Sequence, residues 1–234
     1  NGLVKMRFIF SIITYFLGAI TFSIVGLILL IIILVYPRGI FKLVIPLCNL
    51  MIRVFGCQLS YNKKVPTNET FVIMANHCSF LDVFAIPSVF TGKFSAVAAS
   101  KNFKIPIYSI FLKKMKVVSI DRSNREQAIK GIKRAEKLIK EGYHIVILPE
   151  GTRTANGSLG QFKKGGFHLA INTKARILPI VTQGLFQIKP FNRFTIYPGK
   201  IKINVGNPIE TANKEVDELL LETKTIFEKM LEEQ

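Results

Sequence analysis

Residues 8–36 form a run of 29 positions without a single charged side chain. About 20 consecutive apolar residues are enough to span a bilayer as a helix. As one straight helix the run would measure about 44 Å, which is longer than the hydrocarbon core is thick. The run therefore predicts a membrane-anchoring helix that either tilts or breaks near Gly18 or Gly26.

A secretory signal peptide is the alternative, because Lys5 and Arg7 precede the apolar run. The apolar part of a signal peptide would be far shorter, and no small-residue cleavage site follows Tyr36. Basic residues flank the run on both sides, so the positive-inside rule does not set its orientation. We nevertheless expect an anchor in the inner (cytoplasmic) membrane with the rest of the chain facing the cytosol.

The next apolar stretch, residues 38–55, has a different pattern. Lys42, Asn49 and Arg53 are spaced by seven and four, which places them on one face of a helix. This pattern predicts an interfacial helix whose polar stripe faces lipid headgroups or the folded domain. Two helices embedded from the cytosolic side are favoured over one true span.

The charge of the chain is strongly positive and unevenly distributed. The formal net charge is +17, and residues 70–209 contain 22 Lys and Arg against 6 Asp and Glu. Such an excess indicates anionic ligands or an anionic membrane surface. Nucleic acid is the competing partner, but no nucleic-acid-binding motif accompanies the charge, so we expect membrane lipids and no nucleic acid.

Three cysteines, Cys48, Cys57 and Cys78, occur without a CxxC pair. The pattern predicts neither a disulfide framework nor a zinc site, and it fits a reducing compartment. We expect no bound metal and no resident cofactor.

After residue 62, short apolar runs alternate with amphipathic helical patterns. This alternation predicts an α/β fold with a mixed central sheet flanked by helices, behind an N-terminal hydrophobic helical membrane anchor. We predict anchoring helices over residues 1–60 and the α/β domain over 61–234. The expected strands are 71–75, 95–99, 116–120, 144–148, 176–182 and 200–205, and the clearest helices are 125–141 and 214–233.

A polar segment directly after the first of these strands contains His77 and Asp82. Ser79 lies three residues before Asp82, which predicts a capping box with Ser79 as N-cap. The Asp82 carboxylate would then point back toward His77, since helical side chains tilt toward the N-terminus. A carboxylate on one imidazole nitrogen leaves the other as a general base for a hydroxyl. Alternatively, Ser79 and Asp82 merely cap a helix, and Cys78 is a less favoured candidate nucleophile.

Two further polar segments also follow predicted strands. Residues 149–153 read Pro-Glu-Gly-Thr-Arg, where Gly151 allows close backbone approach to a ligand and Arg153 suits a phosphate. The segment Ile120-Asp121-Arg122 carries almost no information by itself. An incidental turn with a surface arginine is the alternative interpretation of residues 149–153.

Together these segments resemble the glycerolipid acyltransferase superfamily, typified by 1-acylglycerol-3-phosphate acyltransferases. Residues 76–82 match its Asn-His-x4-Asp block, and residues 120–122 resemble its second block. Residues 149–153 resemble the third, with Leu148 in place of the usual Phe, and residues 178–181 resemble the Val-Pro-Ile-Val type of the fourth. Lys116 and Ser119 replace the glycine and the aromatic residue often found in the second block.

The resemblance implies transfer of an acyl group from an acyl thioester to the sn-2 hydroxyl of lysophosphatidic acid, giving phosphatidic acid. Its implied general base is His77, oriented by Asp82. The positions implied to bind the acceptor, together with one further phosphate candidate, are Arg122, Glu150, Gly151, Thr152, Arg153 and Lys101. The co-substrate would be acyl carrier protein or coenzyme A thioester. Backbone N–H groups near Ser79 are conjectured donors to the oxyanion.

Three alternative functions remain open at this stage. The acceptor could be glycerol 3-phosphate or another lysophospholipid, although this sequence shows no long soluble N-terminal domain, which favours lysophosphatidate. A lipid hydrolase would need a nucleophile elbow, and no Gly-x-Ser-x-Gly occurs. A non-enzymatic lipid-binding membrane module would explain the charge and the anchor but would not require His77 and Asp82.

Overall fold

The structure is a computed structural model that describes residues 2–35, 40–106, 108–121 and 123–233. The helices of this described part are α1 Gly2–Val35, α2 Ile40–Val54, α3 Asp82–Ala85, α4 Tyr108–Lys114, α5 Arg125–Lys140, α6 Gly165–Thr173, α7 Leu185–Ile188 and α8 Val216–Glu232. The strands are β1 Cys57–Tyr61, β2 Val72–Ala75, β3 Phe94–Ala99, β4 Val118–Ile120, β5 His144–Ile147, β6 Ile177–Gln183 and β7 Gly199–Val205. Two short 3₁₀ helices cover Ile86–Val89 and Ser100–Lys104.

The strands form one mixed sheet in the order β1-β7-β6-β2-β5-β3-β4. Strands β6, β2, β5, β3 and β4 are parallel, whereas β7 is antiparallel to β6 and β1 is parallel to β7. The carboxyl ends of the five parallel strands therefore meet at one edge, where ligand sites of open α/β sheets are found. The mixed sheet and all six expected strands are confirmed within a few residues.

Strand β1 was not expected from the sequence. It pairs with β7 from Cys57 to Tyr61, so the sheet begins inside the segment assigned to the anchor, and the predicted boundary at residue 60 falls within a strand. Three of its five residues, Gln58, Ser60 and Tyr61, are exposed, and its short polar pattern gives little strand signal. Pairing with a neighbouring strand creates β1, which local sequence cannot show.

The N-terminal helix α1 is continuous from Gly2 to Val35 and does not break at Gly18 or Gly26. By length and composition, residues 2–32 could cross a membrane, and most of its large apolar side chains are exposed. Gly18 has a packing role, since a Cβ there would lie 3.0 Å from the Phe55 ring. The helix therefore touches the domain along one line and leaves the rest of its apolar surface uncovered.

Helix α2 packs its apolar face onto the sheet. Val44, Leu47, Cys48, Met51 and Ile52 are buried in the same core cluster as strand residues of the sheet. The stripe predicted to face headgroups or the folded domain points away from the domain, because Lys42 and Arg53 are exposed and Asn49 is half-buried. Helices α5, α6 and α8 contribute to a second core cluster with strand residues of the sheet, so helices flank the sheet as expected.

Candidate active site

The turn after β2 positions His77 at the carboxyl edge of the sheet. The buried side chain of Asn76 accepts the Thr182 backbone N–H at 2.7 Å and donates to the Thr182 carbonyl at 2.9 Å. These two bonds attach the turn to the neighbouring strand β6. The residue after Asn76 therefore leaves the sheet at a fixed point, with His77 at the mouth of the site.

His77 and Asp82 are in direct contact, as the sequence predicted. His77 Nδ1 lies 2.7 Å from Asp82 Oδ2, with Asp82 buried and the His77 side chain 22% exposed. The same oxygen accepts the backbone N–H groups of Cys78 at 2.9 Å and Ser79 at 3.0 Å. Because Nδ1 faces a carboxylate, Nε2 is the nitrogen left to accept a proton from a hydroxyl.

The predicted capping box is wrong in its details. Helix α3 begins at Asp82, and Leu81 occupies the N-cap position without a side-chain cap bond. Ser79 Oγ instead accepts the Leu81 N–H at 3.3 Å and donates to the Lys189 carbonyl at 2.7 Å. The N–H groups of Cys78 and Ser79 are already bound to Asp82, so they do not serve as the conjectured oxyanion donors.

Glu150 lies inside the site and not on its surface. It is 5% exposed, and its two oxygens accept the backbone N–H groups of His77 and Gly160, each at 2.7 Å. Burial raises the pKa of Glu150, while the two accepted hydrogen bonds act in the opposite direction. Because both oxygens are bonded to backbone, Glu150 supports the backbone of His77, and its expected acceptor-binding role stays a prediction.

The segment after Glu150 also binds the backbone of His77. The Thr154 N–H donates to the His77 carbonyl at 2.8 Å, so both backbone polar groups of His77 are held by one loop. Gly151 adopts a φ of 75°, a left-handed conformation that glycine reaches without strain. Its N–H donates to the Leu148 carbonyl at 2.9 Å. Gly151 thus shapes the loop that carries Arg153.

The remaining expected ligands lie at the same edge of the sheet. Thr152 and Arg153 are exposed after β5, and the guanidinium carbon of Arg153 lies 6.0 Å from the Phe191 ring centroid. Lys101 is exposed in the 3₁₀ helix that follows β3. Arg122 lies outside the described residues. Lys101 and Arg153 therefore come from different segments, which follow β3 and β5 at the carboxyl edge of the sheet.

Lys189 is a residue that the sequence interpretation missed. It directly follows α7, the short helix after β6, and is 8% exposed. Its carbonyl accepts the hydroxyl of Ser79. The rule that functional side chains follow parallel strands could have identified it, because residues 176–182 were an expected strand. No group of three His, Cys, Asp or Glu side chains that could hold a metal occurs among the residues described.

Comparisons with known proteins identify a family and several similar chains. A family described as Acyltransferase matches residues 56–183. The 1-acyl-sn-glycerol-3-phosphate acyltransferase LPAT1, chloroplastic, of Arabidopsis thaliana is 32% identical over 157 residues, which cover 66% of this chain and 44% of that protein. The 1-acyl-sn-glycerol-3-phosphate acyltransferase alpha of Homo sapiens is 30% identical over 157 residues, which cover 66% of this chain and 55% of that protein.

A solved structure shows the same fold over nearly the whole chain. The crystal structure of the 1-acyl-sn-glycerophosphate (LPA) acyltransferase PlsC from Thermotoga maritima aligns with a TM-score of 0.86 at 20% identity. The alignment covers 98% of this chain and 96% of that one. By contrast, the chain spans about half the length of the curated relatives it matches.

Proposed function

Because this chain belongs to the Acyltransferase family, we propose that it transfers a fatty acyl group to the sn-2 hydroxyl of 1-acylglycerol 3-phosphate. The product would be phosphatidic acid, and the donor an acyl thioester of coenzyme A or acyl carrier protein. The observation that carries the proposal is the 2.7 Å contact between His77 Nδ1 and the buried Asp82 carboxylate. The names of the relatives support the choice of acceptor.

The proposed reaction uses the free nitrogen of His77 as general base. Nε2 takes the proton of the acceptor hydroxyl while the hydroxyl oxygen attacks the thioester carbonyl. The new oxygen–carbon bond forms, the carbon–sulfur bond breaks, and the proton passes from the imidazolium to the departing thiolate. Asp82 orients the ring and stabilises its charged form, so no acyl group needs to be attached to the enzyme.

The cations at the carboxyl edge of the sheet are suited to bind the phosphate of the acceptor. Lys101 and Arg153, with Thr152 beside the latter, are exposed after strands whose carboxyl ends lie at the same edge as that of the strand before His77. Arginine can hold a phosphate through two parallel hydrogen bonds, and lysine contributes a point charge. We assign the phosphate of lysophosphatidate to these residues, together with Arg122.

We place the active site at a membrane surface. Helix α1 carries many exposed apolar side chains, and the acceptor and the product would both reside in the bilayer. Transfer at the interface avoids moving their chains through water. The three cysteines of the described chain are free and buried, which is compatible with a cytosol-facing domain at the inner (cytoplasmic) membrane.

An acceptor panel tests the proposal. The detergent-solubilised full chain is incubated with lysophosphatidate, glycerol 3-phosphate or lysophosphatidylcholine, each with acyl-coenzyme A and with acyl carrier protein thioester. We expect phosphatidic acid from lysophosphatidate, and a fall of roughly 100- to 10,000-fold in His77→Ala. Release of free fatty acid alone would indicate a hydrolase, and absence of any product would indicate a binding module.

A further inference from the structure

Positive charge gathers around the loop that joins β6 to β7. We call residues 189–197 the cationic loop. The guanidinium carbons of Arg193 and Arg7 lie 3.8 Å and 4.6 Å from the centroid of one ring, that of Tyr197. Two guanidinium groups thus share one aromatic ring, although like charges repel.

Lys189 is the buried member of this group. Its Nζ donates to the carbonyl of Pro190 at 2.8 Å and also to the carbonyl of Arg193. Burial, together with the positive charges of Arg153 and Arg193, lowers the pKa of Lys189. A buried ammonium group close to two guanidinium groups is unfavourable unless an anion compensates it.

The described part of the chain supplies no such anion. Its ion pairs do not include Arg7, Arg153, Lys189 or Arg193. Arg193 instead donates to the carbonyls of Gln187 and Ile188 at 2.6 Å and 2.8 Å. Carbonyl oxygens fix the geometry of these cations but carry no net charge. The cluster therefore has a surplus of positive charge that the ion pairs of the described residues leave uncompensated.

The location of the cluster indicates what kind of anion can reach it. Ser11 Oγ accepts the Ile196 N–H at 2.9 Å, and the Tyr15 hydroxyl donates to the Phe194 carbonyl at 2.8 Å. The cationic loop is thus bonded along the apolar helix α1. Phe191 and Phe194 are 49% and 54% exposed beside the cations. Exposed rings next to basic groups favour the region where lipid chains meet headgroups.

We propose that Lys189, Arg193 and Arg7 form a second anion site, which binds the phosphate group of a membrane lipid. It lies on the β6 side of His77, whereas Lys101 follows β3 on the other side. The occupant is an anionic phospholipid of the surrounding bilayer, because the phosphate of the acceptor is assigned to Lys101, Arg122 and Arg153. The proposal therefore stands apart from the proposed function.

A short chain of bonds joins this site to the catalytic pair. The Lys189 carbonyl accepts the Ser79 hydroxyl at 2.7 Å, and the Ser79 N–H donates to Asp82 Oδ2 at 3.0 Å. Asp82 in turn holds His77. A phosphate at Lys189 would therefore stabilise the loop that supports the pair.

The binding experiment compares lipids that differ in the phosphate. The full chain in neutral detergent micelles is titrated with lysophosphatidate, phosphatidylglycerol or monoacylglycerol, which lacks a phosphate, and binding is followed by thermal stabilisation. We expect Lys189→Met to raise the Kd for a phosphate-bearing lipid roughly 10-fold and to leave monoacylglycerol unaffected. Lys133→Gln, an exposed position on α5, removes the same charge and serves as the control.

Kinetics test whether the acceptor itself occupies the site. Weakened phosphatidylglycerol binding in Lys189→Met, with an unchanged KM for lysophosphatidate, supports a bilayer lipid. A raised KM for lysophosphatidate with unchanged phosphatidylglycerol binding would instead place the phosphate of the acceptor there and overturn the proposal. If no acyl transfer occurs with any acceptor, the binding data still decide the proposal.

The proposed site would be ruled out if folded Lys189→Met and Arg7→Gln both bound lysophosphatidate and phosphatidylglycerol with the Kd values of the wild type. Arg7 is exposed, so its variant decides the question by itself if Lys189→Met fails to fold.

Discussion

The carboxylate of Glu150 holds the backbone of His77 through a 2.7 Å hydrogen bond from the His77 N–H to Oε1. Glu150 follows β5 and His77 follows β2, and these two strands are paired in parallel. The bond therefore joins two loops that leave adjacent strands at the same edge. Since Oε2 is bonded to the Gly160 N–H, the carboxylate also orders the loop beyond it.

Replacing Glu150 by Gln tests this support. Glutamine keeps one carbonyl oxygen but places its amide N–H groups against one of the two backbone donors. A buried donor left without an acceptor costs about 1–3 kcal/mol. We expect that loss in the free energy of unfolding and a fall in kcat larger than the change in KM. Glu141→Gln, on the exposed ion pair with Lys116, is the matched control, and an unchanged kcat in Glu150→Gln would show that the carboxylate is dispensable.

The wild type and Glu150→Gln should also differ in how the free energy of unfolding depends on pH. Burial raises the pKa of Glu150 in the folded chain above the ordinary value of 4.5. Between the unfolded and folded pKa the folded chain retains a proton that the unfolded chain has released. Relative to Glu150→Gln, the free energy of unfolding of the wild type should be highest below the unfolded pKa. It should fall as the pH rises through the folded pKa, as measured by denaturant titrations, and a rise over that range would contradict the assignment.

Substitution of Gly160, whose N–H binds Oε2 of Glu150, is a second test of the same carboxylate. A Cβ at this position would lie 2.8 Å from Glu150 Oε2, closer than such contacts occur in real structures. We expect Gly160→Ala to displace the carboxylate and reduce acyl transfer about as strongly as Glu150→Gln does. Gly165→Ala is the control, because its Cβ would make an ordinary 3.8 Å contact with Ile132. Equal activities of the two alanine variants, assayed with lysophosphatidate, would argue against a role for the contact.

How much the sequence could predict depends on whether a feature is local. The mixed sheet and six of its strands were predicted from apolar runs, and the contact of His77 with Asp82 was predicted from a capping box whose cap position proved wrong. Strand β1 and the roles of Glu150 and Lys189 depend on partners 142, 73 and 110 positions away. A carboxylate in a polar motif does not reveal whether it faces a ligand or a backbone N–H. The hydrogen bonds of Glu150 with the N–H groups of His77 and Gly160 are visible only in the structure.

Cys78 provides a test of direct transfer. Its thiol is buried, and burial together with the charges of Asp82 and Glu150 raises its pKa well above the usual range. A thiol that stays protonated is a poor nucleophile. We expect Cys78→Ala to retain acyl transfer and the wild-type enzyme to resist thiol alkylation. Loss of activity in a folded Cys78→Ala, or a trapped acyl-cysteine in a mass spectrum, would indicate a covalent intermediate.

Asp82→Asn separates the charge of the carboxylate from its geometry. An asparagine oxygen in place of Oδ2 can still accept the N–H groups of Cys78 and Ser79 and the imidazole N–H. The fold should therefore persist, while the imidazolium formed during the reaction loses the negative charge that stabilises it. We expect kcat to fall on the order of 100-fold or more, with KM for lysophosphatidate nearly unchanged, because Asp82 is buried and bonds the Nδ1 of His77.

The control for Asp82→Asn is the double variant that carries both Asp82→Asn and His77→Ala. If the two residues act as a unit, the double variant should be about as slow as His77→Ala alone, since the effects of such residues are strongly non-additive. Independent losses that multiply in the double variant would show that Asp82 contributes through something other than the imidazole. Circular dichroism and thermal unfolding of each variant would verify that the comparison concerns folded proteins.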